Sequence, residues 1–469
     1  MPKKPSLKIN FMLNSLLTAS SILFSLLSYP HAFRVLLAEG TGRVAFVTSM
    51  VSYFSMVAAL GIPTYGIRAC AQVRDNPSKL NQTVQEIFLL NGIMTILSYI
   101  AIVISLHFVE RFRQETSLFL VCSSTLLFNL IGMEWLYKGL EQYQYITVRS
   151  IIFKFLSIAL VFLFIQTSDD YIIFGAIMVL ATVGSKALNF FHARQLVQFC
   201  RCKHYDLKRH LKPTFVFFAL TIATTIYTNL DVVMLGFLKD NQEVGYYDAA
   251  VKIKTLLVSL VTALGAVLLP RISYYIENNH LDEGMRLVKR AVNFVLMCSI
   301  PFCFYFIFMA QNTILFLSGS GFQEAVIPMK IIMPTIIFIG LTNIIGFQML
   351  VPFGKELEVF YSTLAGAIVD LILNMILIPR YGAAGAAMGT LFAELVVLLV
   401  QLFFIRTQLS IILQPIHLFK ILVAMAPAGF FVLLLQRIYF SSIFLSLIVT
   451  AFVFFGTYLL GLLFLKYRL

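Results

Sequence analysis

Four ionisable side chains sit where an apolar chain tolerates them least. Lys154 and Lys186 interrupt the runs Tyr143–Ile165 and Tyr171–Gln198, and Asp370 and Glu394 interrupt Leu357–Pro379 and Tyr381–Arg406. At about 1.5 Å per helical residue, all four fall near the middle of their runs. Charged groups at that depth face a bundle interior or an aqueous cavity, because hydrocarbon does not solvate them. Two lysines can receive an anion, and two carboxylates can take a coupling cation. The competing reading is a set of salt bridges between the two pairs, with no substrate involved.

Further charges lie nearer the ends of such runs. Asp231 and Lys252 sit about two turns in from the outer side, with Asp248, Lys254 and Arg34 nearby. They read as a structural ion-pair group or as an outer gate that opens when its pairs break. Arg68 and Arg271 end their runs on the inner side. There they serve either as phosphate ligands or as snorkelling and topology residues.

The elements that position these residues are long apolar helices. Hydrophobic residues make up 59% of the 469 and charged residues only 12%, about half the share in soluble domains. Stretches of about twenty apolar residues, each enough to cross the bilayer, recur from Phe11 to Leu465. The reading is an all-α polytopic membrane protein of about fourteen transmembrane helices. The first six lie within 1–198, a basic cytoplasmic linker follows at 199–212, six more occupy 213–406, and two additional helices occupy 407–469. The apolar stretch Phe11–Tyr29 is too long for a signal peptide and runs on through Pro30, so it reads as a retained first helix.

The net charge of +13 is explained by Lys and Arg gathered in the loops of one side. That bias places both termini in the cytoplasm and makes nucleic acid an improbable partner. A weak repeat relates the halves. Glu39-Gly40-Thr41-Gly42-Arg43-Val44-Ala45 parallels Asn241-Gln242-Glu243-Val244-Gly245-Tyr246-Tyr247, and Asp170–Ala176 parallels Arg380–Ala386. Two pseudo-symmetric six-helix lobes follow, as in many secondary transporters. Under that repeat, the first lobe carries two cations where the second carries two anions.

Other motifs carry little. Cys200-Arg201-Cys202-Lys203-His204 is spaced more tightly than zinc sites and has no second ligand pair, so no metal is assigned. The other cysteines read as buried apolar residues. Asn81-Gln82-Thr83 matches a glycosylation sequon but falls on the inner side. Gly40/Gly42 and Gly319/Gly321 lack the strand-to-helix context of a phosphate loop. No nucleophile and base are spaced for catalysis, so the chain reads as a non-enzyme without cofactor.

Several segments resemble a known family: Asn14-Ser15-Leu16-Leu17, Pro30-His31-Ala32-Phe33-Arg34-Val35-Leu36, Gly40-Thr41-Gly42 and Tyr53-Phe54. The strongest is Leu60-Gly61-Ile62-Pro63-Thr64-Tyr65-Gly66-Ile67-Arg68. Asp231-Val232-Val233-Met234-Leu235-Gly236, Gly245-Tyr246-Tyr247 and Leu269-Pro270-Arg271 agree in the second half. The chain is similar to the Wzx-type oligosaccharide flippases of the multidrug/oligosaccharidyl-lipid/polysaccharide exporter superfamily. His31 departs from the pattern, which more often has an aromatic there.

The resemblance implies two lobes in a V-shaped transporter of a bacterial inner membrane. By alternating access it would move a polyprenyl-diphosphate-linked oligosaccharide from the inner to the outer leaflet, driven by H+ or Na+. Membrane lipids are its surroundings, and polysaccharide assembly proteins are further partners in keeping with that role. The diphosphate gives a reason for cavity cations, since buried unpaired charge is prohibitive. Candidate substrate residues are Lys154, Lys186, Arg34, Arg68, Lys252 and Arg271; candidate ion-coupling residues are Asp370, Glu394 and Asp231. The alternatives are a lipid II flippase or a multidrug exporter of the same fold, although drug exporters favour anionic cavities. From another class, a membrane-embedded glycan polymerase or acyltransferase would need an outer loop or an acid–base constellation, and neither is evident.

Overall fold

The computed structural model describes residues 7–198, 205–277, 280–409, 415–438, 440 and 442–467. Among them there are helices and no strand, as hydrocarbon demands of a chain that must satisfy every backbone group internally. Two compact units divide between Val233 and Met234.

The first unit begins with α1 (Leu7–Ala59), α2 (Ile62–Val73), α3 (Pro77–Phe108) and α4 (Glu110–Arg113). It continues with α5 (Thr116–Gly132), α6 (Glu134–Gly139), α7 (Tyr143–Phe164), α8 (Tyr171–Val183) and α9 (Ala187–Leu196). α10 (Lys208–Leu238) contains the division between the units. The second unit holds α11 (Asn241–Glu277), α12 (Leu281–Phe308), α13 (Ala310–Ser318), α14 (Val326–Ile332), α15 (Thr335–Thr342) and α16 (Glu356–Phe404). α17 (Pro415–Leu435) and α18 (Ile443–Phe464) close it.

Ten described helices are long and apolar enough to cross a membrane, or eleven if the bent pair Ser320–Ile332 and Thr335–Leu350 is one span. Two of the ten are double. The first breaks at Leu37, whose φ is 57°, and α16 breaks at Gly382, whose φ is 54°. With those divided and the 37-residue α11 added, each of the fourteen expected segments has a helical counterpart. The turn expected at 38–43 is itself helical, so the chain reverses at one left-handed residue instead of through a loop.

The basic linker does not separate the units. Residues 199–204 lie outside the described residues, and the Cys200–His204 motif lies there with them. The start of α10 packs into the first unit, and Gly61 shows why. Its φ is +71°, and a Cβ there would stand 2.5 Å from the Phe218 nitrogen and 2.6 Å from the Thr214 oxygen. Only glycine permits both that conformation and that approach. The following Pro63 sits at the start of α2, where proline costs a helix nothing. Below it Leu60, Ile62, Cys70, Val84, Ile87, Met133, Trp135 and Leu136 form a buried core.

In each unit the two segments of the repeat meet each other, through different contacts. In the first unit, Gly40 lies against Ser168 and Tyr171, and Arg43 donates to the Tyr171 hydroxyl at 3.2 Å. In the second, Glu243 lies against Gly382 and accepts from the Ala383 backbone nitrogen at 2.6 Å. The last two helices dock on α12 within the second unit. The Tyr305 hydroxyl donates to the Leu447 carbonyl at 2.8 Å, and the Tyr458 hydroxyl donates to Met297 at 2.9 Å.

Candidate functional site

Two broken helices meet in the first unit. α5 stops at Gly132, and Met133 takes left-handed angles (φ 39°, ψ 42°) before α6 restarts at Glu134. α8 ends at Val183 in a tight 3-10 turn, Gly184–Lys186. A Cβ on Gly132 would lie 2.6 Å from the Lys186 Cβ, so glycine is what brings the breaks together. The Asn189 amide donates to the Gly132 carbonyl at 2.5 Å, satisfying a backbone group that the break releases.

Lys186 projects from this junction. Its Nζ lies 3.0 Å from Glu134 Oε2 and donates to Asn129 Oδ1 at 2.8 Å. Lys138, one turn on, meets the other oxygen, Oε1, at 3.1 Å. Lys154 goes elsewhere: its Nζ donates to Ser20 Oγ at 3.2 Å, to the Leu17 carbonyl at 3.3 Å and to Ser21 Oγ. The two lysines thus share one unit but make no mutual site, and serine hydroxyls leave the Lys154 charge unneutralised.

Arg149 stands on α7, five residues before Lys154, and is only 6% exposed. Its guanidinium stands 5.4 Å over the Tyr145 ring, which in turn stacks on His192 at 4.2 Å. Its Nε and Nη1 find no acceptor among the described residues. Both Arg149 and Lys154 lie within electrostatic reach of Glu134. Glu134 therefore pairs directly with two lysines, Lys138 and Lys186, and acts on Arg149 and Lys154 only at longer range.

A second charged node ties α3 to α10. Glu86 is fully buried and accepts from the Asp206 backbone nitrogen at 2.9 Å, from Arg209 Nε at 2.9 Å and from Gln82 at 2.9 Å. Its Oε2 also lies 2.8 Å from His210 Nε2, and His210 Nδ1 lies 2.6 Å from the Tyr65 hydroxyl. Tyr65 belongs to the Gly61–Arg68 segment, so this segment holds the helix that follows the linker.

In the second unit Asp370 (1% exposed) and Glu394 (8%) stand on the two arms of α16, which fold back at Gly382. Asn374 and Thr390 are buried on the same arms, and Gly389 lies against both Asp370 and Asn374. Thr390 Oγ1 is 2.8 Å from the Tyr247 hydroxyl of α11. Lys252 pairs with Asp248 at 3.4 Å along α11. Asp231 is buried on α10, and Arg34 and Arg68 are exposed on α1 and α2. The Arg271 side chain lies outside the described residues. Among the described residues no cluster of His, Cys, Asp and Glu is built to hold a metal.

Sequence reasoning missed Glu134, Arg149 and Glu86. Glu134 and Lys138 look like an ordinary i,i+4 surface pair. Nothing in Gly132-Met133 announces a break, because methionine carries no left-handed preference. His31 has a simple account. Its ring packs 4.7 Å from Phe162, as an aromatic would, and Nε2 reaches the Ile165 carbonyl at 2.9 Å.

Residues 7–276 match the polysaccharide biosynthesis protein family. The chain belongs to that family. It is 25% identical over 405 residues to the "Putative O-antigen transporter" of Escherichia coli (strain K12), covering 86% of this chain and 97% of that one. It is 23% identical over 170 residues, 36% of each chain, to the "Probable low-salt glycan biosynthesis flippase Agl15" of Haloferax volcanii. Among solved structures, lipid II flippase MurJ in an inward closed conformation aligns with a TM-score of 0.75 at 17% identity, over 96% of this chain and 99% of that one. An inward-facing multidrug transporter of the MATE family aligns at 0.65 and 12% identity, over 86% and 98%. These likenesses establish the fold: the member of the polysaccharide biosynthesis family described here is a helical multi-pass membrane protein of the MurJ and MATE type.

Proposed function

We propose that this protein is a flippase for a lipid-linked glycan, with a polyprenyl-diphosphate-linked oligosaccharide as substrate. It moves the headgroup from the inner to the outer leaflet of the cytoplasmic membrane by alternating access, with both chain termini in the cytoplasm. The observation that carries the reading is the surplus of positive charge at the half-buried Lys154 and Lys186 and the buried Arg149. Such charge costs several kcal/mol per ion unless an anion joins it, and a diphosphate supplies one. The names of the relatives that align with this chain favour a glycan carrier over a drug carrier.

Asp370 and Glu394, with Asn374 and Thr390 beside them, are proposed to take the coupling cation, H+ or Na+. Carboxylate, amide and hydroxyl oxygens suit either ion. Asp231 is a further candidate for the same role. Arg34, Arg68, Lys252 and Arg271 are secondary candidates for the headgroup path, and polysaccharide assembly proteins are proposed partners.

The test is deletion of the gene in its host. Lipid-linked repeat units should accumulate on the cytoplasmic leaflet and reappear outside on complementation. Unchanged export, or accumulation of lipid II in place of repeat units, contradicts the proposal.

A further inference from the structure

Arg149 and Glu134 pose two linked puzzles. A buried guanidinium normally has its N–H groups paired, yet two of those on Arg149 have no acceptor among the described residues. Glu134, by contrast, is over-subscribed. One carboxylate bridges Lys138 and Lys186 at 3.1 and 3.0 Å, and Arg149 and Lys154 also feel its charge. Its side chain is 27% exposed and that of Lys186 is 18%, so the junction is reachable. The helix breaks at Met133 and Gly184–Lys186 add a third feature, since discontinuous helices are where membrane carriers place polar ligands.

We propose that Glu134 is a resident counter-anion that occupies Lys138 and Lys186 until a diphosphate replaces it, and that Arg149 is the phosphate ligand held open for that exchange. This rests on the flippase reading and adds to it a device for release. Without Glu134 the neighbouring Lys138 and Lys186 would repel each other; Glu134 neutralises part of that charge without filling Arg149. An arriving diphosphate takes the fork of Arg149 through paired N–H···O bonds and displaces Glu134 from Lys186. On departure the carboxylate returns, so the cations never hold the headgroup with their full strength. Glu134 thus sets affinity against turnover, acting as a positioning residue and not as a ligand.

The experiment uses the full chain in nanodiscs of zwitterionic lipid, with farnesyl diphosphate as probe and farnesol as control. The wild type should bind the diphosphate and not the alcohol. Glu134→Gln should bind it about five- to tenfold tighter, a coupling of ordinary size. Arg149→Gln should bind it at least tenfold more weakly, a loss of about 1.4 kcal/mol or more, and Arg149→Lys should recover part of the loss. Thermal unfolding of each variant identifies any that has failed to fold, and Arg149→Lys keeps the test intact if Arg149→Gln does. Phosphatidylglycerol is added as a second arm. Displacement of the probe at equal concentration would assign the site to a lipid phosphate and overturn the proposal. Unchanged or weaker binding by Glu134→Gln overturns it too. Translocation of lipid-linked oligosaccharide is measured separately in proteoliposomes. If the wild type fails there while the binding pattern holds, the flippase reading falls and the exchange site stands.

Discussion

Replacing Glu86 by alanine should loosen the first unit by a predictable amount. The carboxylate is fully buried and holds Arg209, His210, Gln82 and the Asp206 backbone. Breaking a buried pair by deleting one partner costs about 3–5 kcal/mol. His210 is buried and cannot escape, but the Arg209 side chain is 44% exposed and can turn into water, which places the loss near the lower end, about 3 kcal/mol. At about 2–4 °C per kcal/mol for a unit of this size, the apparent Tm should fall by about 6–12 °C. Glu86→Gln keeps an acceptor for the Asp206 nitrogen and loses only the charge, so its fall should be about half as large. A fluorogenic maleimide reads the transition directly, because Cys70 and Cys122 are free and buried in this unit. Unfolding of Glu86→Ala at the wild-type temperature would refute the claim that this node holds α10 to α3.

Three further outcomes follow from the geometry. Gly61→Ala should destabilise by about 1–2 kcal/mol for its left-handed backbone and by about 1–3 kcal/mol for overlap with α10; a Tm equal to wild type would exclude the close approach described. Glu115 lies outside the spanning helices, and burial raises its carboxyl above the usual range despite Arg43 at 3.5 Å. Because the folded state then holds the proton more tightly than the unfolded state, stability falls as pH rises from the ordinary carboxylate value through the raised one. Glu115→Gln should therefore unfold at a higher temperature than wild type at pH 7.5, with the gap narrowing in acid; a lower Tm at pH 7.5 would contradict this. Lys154→Gln preserves polar contact with Ser20 and Ser21 and should fold normally, yet lose at least tenfold in glycan translocation, about 1.4 kcal/mol or more in barrier. Translocation at the wild-type rate would remove Lys154 from the headgroup path.

The helices were legible because hydropathy is a direct read-out of the solvent that surrounds them. The repeat was legible at the Glu39–Ala45 and Asn241–Tyr247 segments, and each meets the corresponding segment of its own unit, near Tyr171 in the first and at Gly382–Ala383 in the second. The breaks were not. Leu37 and Met133 adopt left-handed angles that neither residue prefers, so tertiary packing overrides local preference at both. The same limit hid the lysines' partners. Depth located Lys154 and Lys186, but whether a lysine meets serines or a carboxylate depends on helix rotation, which an apolar run on every face does not encode. Glu86 was hidden differently: its partners come from α10, more than a hundred residues away, across a linker that reads as a boundary.

The most direct test of the account is transport by the purified protein in proteoliposomes loaded on one leaflet with a polyprenyl-diphosphate-linked oligosaccharide. Capture of the glycan by an external lectin, faster than in protein-free vesicles and slowed by Lys154→Gln, is the predicted result. Capture no faster than in empty vesicles, under an imposed H+ or Na+ gradient of either sign, would contradict it.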